Sequence, residues 1–168
     1  VEICPNTYRG LFKLTVAESG SHVFPILATR ATAVPRPDEI RVCSTTPKEQ
    51  LKTDVLANGT LGPWAHRQSP TSDIVLATPD GEHVILAGPD GVYSVRSDGS
   101  QAKEPVKLTG NTSLMPIGDT PFAPDSRTVL AASTTGKSLR IVTLEVGKPD
   151  SETTLAEFVE QRVVEQAG

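Results

Sequence analysis

Thr78-Pro79-Asp80-Gly81-Glu82-His83-Val84-Ile85-Leu86-Ala87 decides how the rest of the chain is read. Gly81 tolerates the positive φ of a tight turn, and Asp80 can bond its own backbone. Val84–Ala87 is a short apolar run bounded by turn residues, which reads as a strand. The stretch returns, altered, as Ala123-Pro124-Asp125-Ser126-Arg127-Thr128-Val129-Leu130-Ala131-Ala132, with the two Pro-Asp pairs 45 residues apart. Each copy is followed by a second strand-like run, Val92-Tyr93-Ser94-Val95 and Leu139-Arg140-Ile141-Val142. A turn, a strand, a connection and a strand at this period mark stacked β-units.

Working outward, turn chemistry continues through Pro89-Asp90-Gly91 and Asp98-Gly99, with short strand candidates at Val106-Lys107-Leu108 and Leu114-Met115-Pro116-Ile117. Upstream, Leu11–Val16 alternates apolar and polar residues, and Glu18-Ser19-Gly20-Ser21 is a turn. His22–Ala28 is a second strand, which Pro25 demotes to an edge or a bulge. Val34-Pro35-Arg36-Pro37-Asp38 breaks the chain before the strand Glu39–Cys43. A short helix is expected to start at Thr46-Pro47, and Asn58-Gly59 and Gly62-Pro63 are breakers. Trp64, the single tryptophan, reads as a core residue.

After Gly147 the pattern changes. Asp150 or Ser151 is placed to cap a helix over 150–166, with Leu155, Ala156, Val159 and Val163 on one stripe and Glu152 early, where the helix dipole favours acid.

Composition agrees with a mainly-β chain. Its 168 residues are enough for a real core, aromatics are scarce, and Gly 13 plus Pro 14 favour turns over a helical bundle. No apolar run approaches the roughly 18 residues that span a bilayer as a helix. The sequence opens on Val1 with no charged-then-apolar leader, so the expectation is a processed piece of a longer protein. Charge is uneven. Residues 1–70 carry eight Lys/Arg against six Asp/Glu, leaving eight against fourteen for residues 71–168 out of totals of 16 and 20. An acidic C-terminal part without a basic cluster argues against nucleic acid as partner.

Motifs that carry chemistry are weak. Ala131-x-x-x-x-Gly136-Lys137-Ser138 has the letters of a phosphate loop, but an alternating β-branched run follows where a helix must start, so a hairpin explains it better. His22, His66 and His83 lack metal-ligand spacing. The Asp-Gly turns lack the alternating acidic pattern of a calcium loop. No cofactor and no metal are expected. Asn58-Gly59-Thr60 and Asn111-Thr112-Ser113 match the glycosylation triplet. Cys4 and Cys43 form a candidate disulfide, with two separate thiols as the alternative.

The two Pro-Asp copies, within about residues 73–145, resemble the WD40-like (PD40, TolB-type) β-propeller repeat, in which a Pro-Asp-Gly turn precedes an apolar strand. Ser126 departs from the usual Gly, the Trp-Asp ending is missing, and Pro37-Asp38-Glu39-Ile40 is a faint further echo. The resemblance implies blade-like units that build an interaction surface, and it carries over no catalytic residue.

The expected protein is a single mainly-β domain over 1–168: an N-terminal β part over 1–72, the repeats over 73–145, and a C-terminal helix. Its meanders form a partial or small propeller, an open sheet or a sandwich. The expected function is a non-catalytic protein-interaction or scaffold domain of an extracytoplasmic or cell-envelope protein. Its partner-facing loops are Asp80, Gly81, Asp90, Gly91, Asp125 and Ser126, and membrane association would come only through a removed anchor. Two other readings are a ligand-sensing domain of a membrane-anchored protein, and a hydrolase fragment whose pocket includes His66 or His83.

Overall fold

The computed structural model describes residues 11–20, 22–29, 36–44, 53–58, 61, 64–65, 73–74, 76–118, 120–135 and 137–160. Four strands, β1 (Leu11–Val16), β2 (His22–Thr29), β3 (Arg36–Ser44) and β4 (Thr53–Asn58), form sheet 1 in sequential order. β5 (Trp64–Ala65) and β6 (Asp73–Ile74) pair with each other. Sheet 2 contains β7 (Leu76–Ala77), β8 (His83–Gly88), β9 (Gly91–Arg96) and β10 (Val106–Thr109). Sheet 3 contains β11 (Met115–Pro116), β12 (Thr128–Thr135), β13 (Ser138–Glu145) and β14 (Thr153–Val159). Among the described residues every pairing is antiparallel and the strands form three successive four-stranded meanders, so the chain is mainly β.

The meanders share one register. His22 pairs with Ser44, His83 with Arg96 and Thr128 with Glu145. One step inward, Val23 pairs with Cys43, Val84 with Val95 and Val129 with Leu144. The residue opposite that valine on the preceding strand is Val16, Ala77 or Phe122. Because side chains alternate across a strand, equal register puts equivalent positions on equivalent faces.

Sheet 2 is the middle layer. Val84, Ile85 and Leu86 are all fully buried, as a strand covered on both faces requires. Ile85 and Val92 join Leu76, Leu108, Val129, Ala131, Val142 and Leu144 in the core between sheets 2 and 3, with Phe122 packed against it. Each such aliphatic side chain stabilises the fold by about 1.5–3 kcal/mol on burial. On the opposite side, β1 approaches β7 and β5 approaches β8. The β13–β14 connection ties sheets 2 and 3 together along β10: Asp150 N–H donates to Lys107 O (3.1 Å) and Ser151 N–H to Leu108 O (2.8 Å).

Three expectations are corrected. The helix over 150–166 is replaced, over Thr153–Val159, by strand β14 on the edge of β13, and residues 161–168 lie outside the described residues. The open edge of β13 offers a row of backbone partners, whereas a lone helix of this length is marginal without a face to cover it. Pro25 does not demote β2 to an edge, since β2 lies between β1 and β3. The β2–β3 ladder steps past it instead, running Val23↔Cys43 and resuming at Ile26↔Ile40. Pro37-Asp38 does not break the chain, for β3 already begins at Arg36. The phosphate-loop letters lie on the β12–β13 hairpin, where Thr135 pairs with Ser138 and a strand follows. Cys4, His66 and the expected helix at 46–51 lie outside the described residues.

Candidate functional site

The turn that opens β8 is held by a fixed set of bonds. Thr78 N–H donates to His83 O (2.9 Å), Gly81 N–H to Thr78 O (2.8 Å), and Glu82 N–H to the Asp80 carboxylate (2.9 Å). The turn that opens β12 repeats the frame: Ala123 N–H to Thr128 O (2.8 Å), Ser126 N–H to Ala123 O (3.0 Å), and Arg127 N–H to the Asp125 carboxylate (2.9 Å). The threonine changes places between the copies. Thr78, before the β8 turn, donates its hydroxyl to Asp80 Oδ1 (2.6 Å) and accepts from His83 N–H (3.0 Å). In the second copy Thr128, after the turn, donates to Asp125 Oδ2 (2.7 Å). Hydrogen bonds from Thr128 and from the backbone of Arg127 and Thr128 hold the Asp125 carboxyl below its ordinary pKa.

A further copy, the first along the chain, precedes β2. Ala17 N–H donates to His22 O (3.1 Å) and Gly20 N–H to Ala17 O (2.8 Å), with Gly20 at φ 70° beside φ 78° at Gly81. Its letters, Ala17-Glu18-Ser19-Gly20, lack the Pro-Asp pair, so only the glycine marked it as a turn.

The three turns meet. Ser19 N–H donates to Pro79 O (2.9 Å) and Ser19 Oγ to Asp80 O (3.2 Å), joining the first turn to the second. Together with the third they line a cleft of about 600 Å³. Glu18 and Ser19, Pro79 and Asp80, and Phe122 with Pro124 and Ser126 supply its walls. Thr120 stands at the approach to the third turn. The cleft combines two carboxylates, hydroxyls, and an apolar surface of prolines and one half-buried phenylalanine.

Of the loop residues expected to face a partner, Asp80 and Ser126 line this cleft, and Gly81 and Asp125 belong to the turns that form it. Asp90 and Gly91 do not, because they sit at the β8–β9 hairpin, the opposite end of β8. There Asp90 accepts from the Tyr93 hydroxyl (2.6 Å) and from Lys107 (2.7 Å), which lower its pKa, while Asp90 raises those of Lys107 and Tyr93. His83 lies outside the cleft lining, in the seam between sheets 2 and 3, where Gly147 approaches its ring. Burial, then Arg96 opposite it, push its pKa down. Glu18, Ser19, Thr120 and Phe122 are site residues the sequence did not single out, because only the convergence of three turns makes them neighbours. Among the described residues, no group of three or more His, Cys, Asp or Glu side chains is arranged to hold a metal ion.

No family model matches the chain, and no curated protein matches it. A crystal structure of a eukaryotic initiation factor is similar in fold, at TM-score 0.52 and 13% identity, over 90% of this chain and 34% of that one. A Mycobacterium tuberculosis puromycin-hydrolyzing peptidase gives TM-score 0.44 and 14% identity over 85% of this chain and 23% of that one. The chain thus spans about a third of the initiation-factor chain and shares its fold class, a mainly-β stack of antiparallel meanders.

Proposed function

We propose that this chain is a protein-interaction domain that grips a partner segment in the cleft where its three turns meet. The observation that carries this is the convergence of three turns with one hydrogen-bond frame on one concave surface. Turns held by backbone bonds, two of them also by an aspartate carboxylate, present a preformed surface, which lowers the ordering cost of binding. The recurrence of the frame also supports reading the meanders as propeller-type blades. An extracytoplasmic, envelope placement rests on the sequence alone, through the Cys4–Cys43 pair expected there.

The lining supports one class of partner. Glu18 and Asp80 favour a cationic group, while Phe122, Pro79 and Pro124 favour an apolar one beside it. The segment is therefore a peptide carrying Lys or Arg next to a large apolar residue. Fluorescence anisotropy with labelled basic–aromatic peptides tests this against acidic peptides of equal length. Basic peptides should bind with a dissociation constant of about 10–100 µM. Glu18→Lys and Thr120→Arg, both at exposed positions, should abolish that binding without unfolding the chain. Equal binding of acidic and basic peptides, or binding that survives both substitutions, overturns the proposal.

A further inference from the structure

We infer that the outer face of sheet 3 is an interface that a second copy of this chain covers, head to tail, with its sheet 1. Common register makes the case. In sheet 2 the positions that face sheet 3 include Ile85, Val92 and Ser94, exposed by 0%, 2% and 0%. Ser94 Oγ also accepts a bond from Gly147 N–H (3.1 Å) of the sheet 3 connection. Counting from the shared pairs His83↔Arg96 and Thr128↔Glu145, the same positions in sheet 3 are Leu130, Ile141 and Thr143. They keep similar chemistry, yet each is only half-buried. Leu139 and Phe158, opposite each other on β13 and β14, extend this face and are 39% and 57% exposed.

The complementary surface lies at the other end of the same chain. Phe122, which packs against the core between sheets 2 and 3, is matched in register by Val16 of β1. Val16 is 54% exposed at the rim of that face, beside Val23, its 7% exposed pair partner, and no sheet precedes β1 among the described residues. One copy thus presents the face that a meander covers, and also the residue with which a meander does the covering. A contact between two different patches of identical chains is heterologous, and it closes into a ring or propagates. Two copies would bring six meanders into one stack, twice the three in a chain.

Sedimentation velocity on the full chain, from about 1 to 200 µM, tests the inference. The wild type should pass from a 17.8 kDa monomer to a dimer or larger assembly. Val16→Glu and Phe158→Glu change exposed side chains, and unchanged circular dichroism melts will show that each still folds. Either substitution alone should weaken association at least about tenfold. Mixing the two variants should restore a heterodimer, since each retains the surface the other has lost. A chain that stays monomeric throughout overturns the inference. Association insensitive to Val16→Glu overturns it too, because sheet 3 would then be meeting sheet 3.

Discussion

Ser126 stands in the left-handed backbone position that Gly81 holds in the preceding meander, at φ 58° against 78°. Both residues donate the same turn-closing bond, to Ala123 O and Thr78 O. A side chain with a Cβ costs about 1–2 kcal/mol in that conformation, which glycine avoids. Part of the gain is returned as the greater freedom of glycine in the unfolded chain. Ser126→Gly should therefore raise stability by about 0.5–1 kcal/mol, read as a higher urea midpoint at constant slope. Gly81→Ala should do the reverse. If Ser126→Gly lowers the midpoint, the left-handed turn is not strained.

Gly91 and Thr109 meet more tightly. A Cβ on Gly91, which sits at φ 152°, would lie 2.0 Å from the Thr109 carbonyl oxygen. That oxygen is backbone in the adjacent strand β10 and has no rotamer to escape into. Gly91→Ala should cost at least about 2 kcal/mol, through overpacking and forbidden backbone geometry together. Because the β8–β9 hairpin is remote from the cleft, peptide binding by the folded fraction should be unchanged. Urea denaturation paired with the anisotropy assay separates the two readouts.

Much of this architecture was legible in local chemistry. Asp-Gly turns and buried apolar runs marked β8 and β9, and the alternation of Leu139–Leu144 ruled out a helix after Gly136. What escaped depended on distant partners. The stripe Leu155, Ala156, Val159 fits a helix, but Thr153 and Thr154 are β-branched and β13 offers its edge, so pairing prevailed over a propensity worth tenths of a kcal/mol per residue. Asp150 and Ser151, read as caps, give their backbone N–H groups to β10 instead. Glu18-Ser19-Gly20 was legible as a turn but not as a copy of the repeat, because Glu18-Ser19 replaces Pro-Asp while the backbone frame is intact. The cleft was half legible: its aspartate turns were visible, but their meeting with Glu18 and Ser19 is tertiary.

Asp125 tests whether the carboxylate or merely its shape holds the third turn. Its oxygens accept from Arg127 N–H (2.9 Å), Thr128 N–H (2.8 Å) and Thr128 Oγ1 (2.7 Å). Asp125→Ala removes both acceptor oxygens, and with them all three bonds, and should lower the urea midpoint and loosen the cleft. Asp125→Asn keeps an acceptor for the two backbone donors and should retain most of both. Equal losses in the two variants would mean that charge, not the backbone bonds, is what matters.

His83 gives the fold a pH dependence whose sign is fixed. Its pKa is lowered, first by burial and then by Arg96, with Arg127 adding to this and Asp80 and Glu82 opposing it. The neutral ring is thus favoured in the folded chain, and the unfolded chain takes up a proton at higher pH, near about 6.5. Where the unfolded state binds more protons, stability rises with pH. The contribution of His83 is accordingly present in full above about 6.5, and is lost as pH falls from there through the folded pKa. Asp90, Asp98 and Asp125 are also held low, and their contributions fade further down, as pH falls through about 4. Urea midpoints measured between about pH 7.5 and 5.5 should fall for the wild type and flatten in His83→Gln, which cannot titrate. A slope unchanged by that substitution would place the titrating group elsewhere and remove His83 from the seam as the seat of the effect.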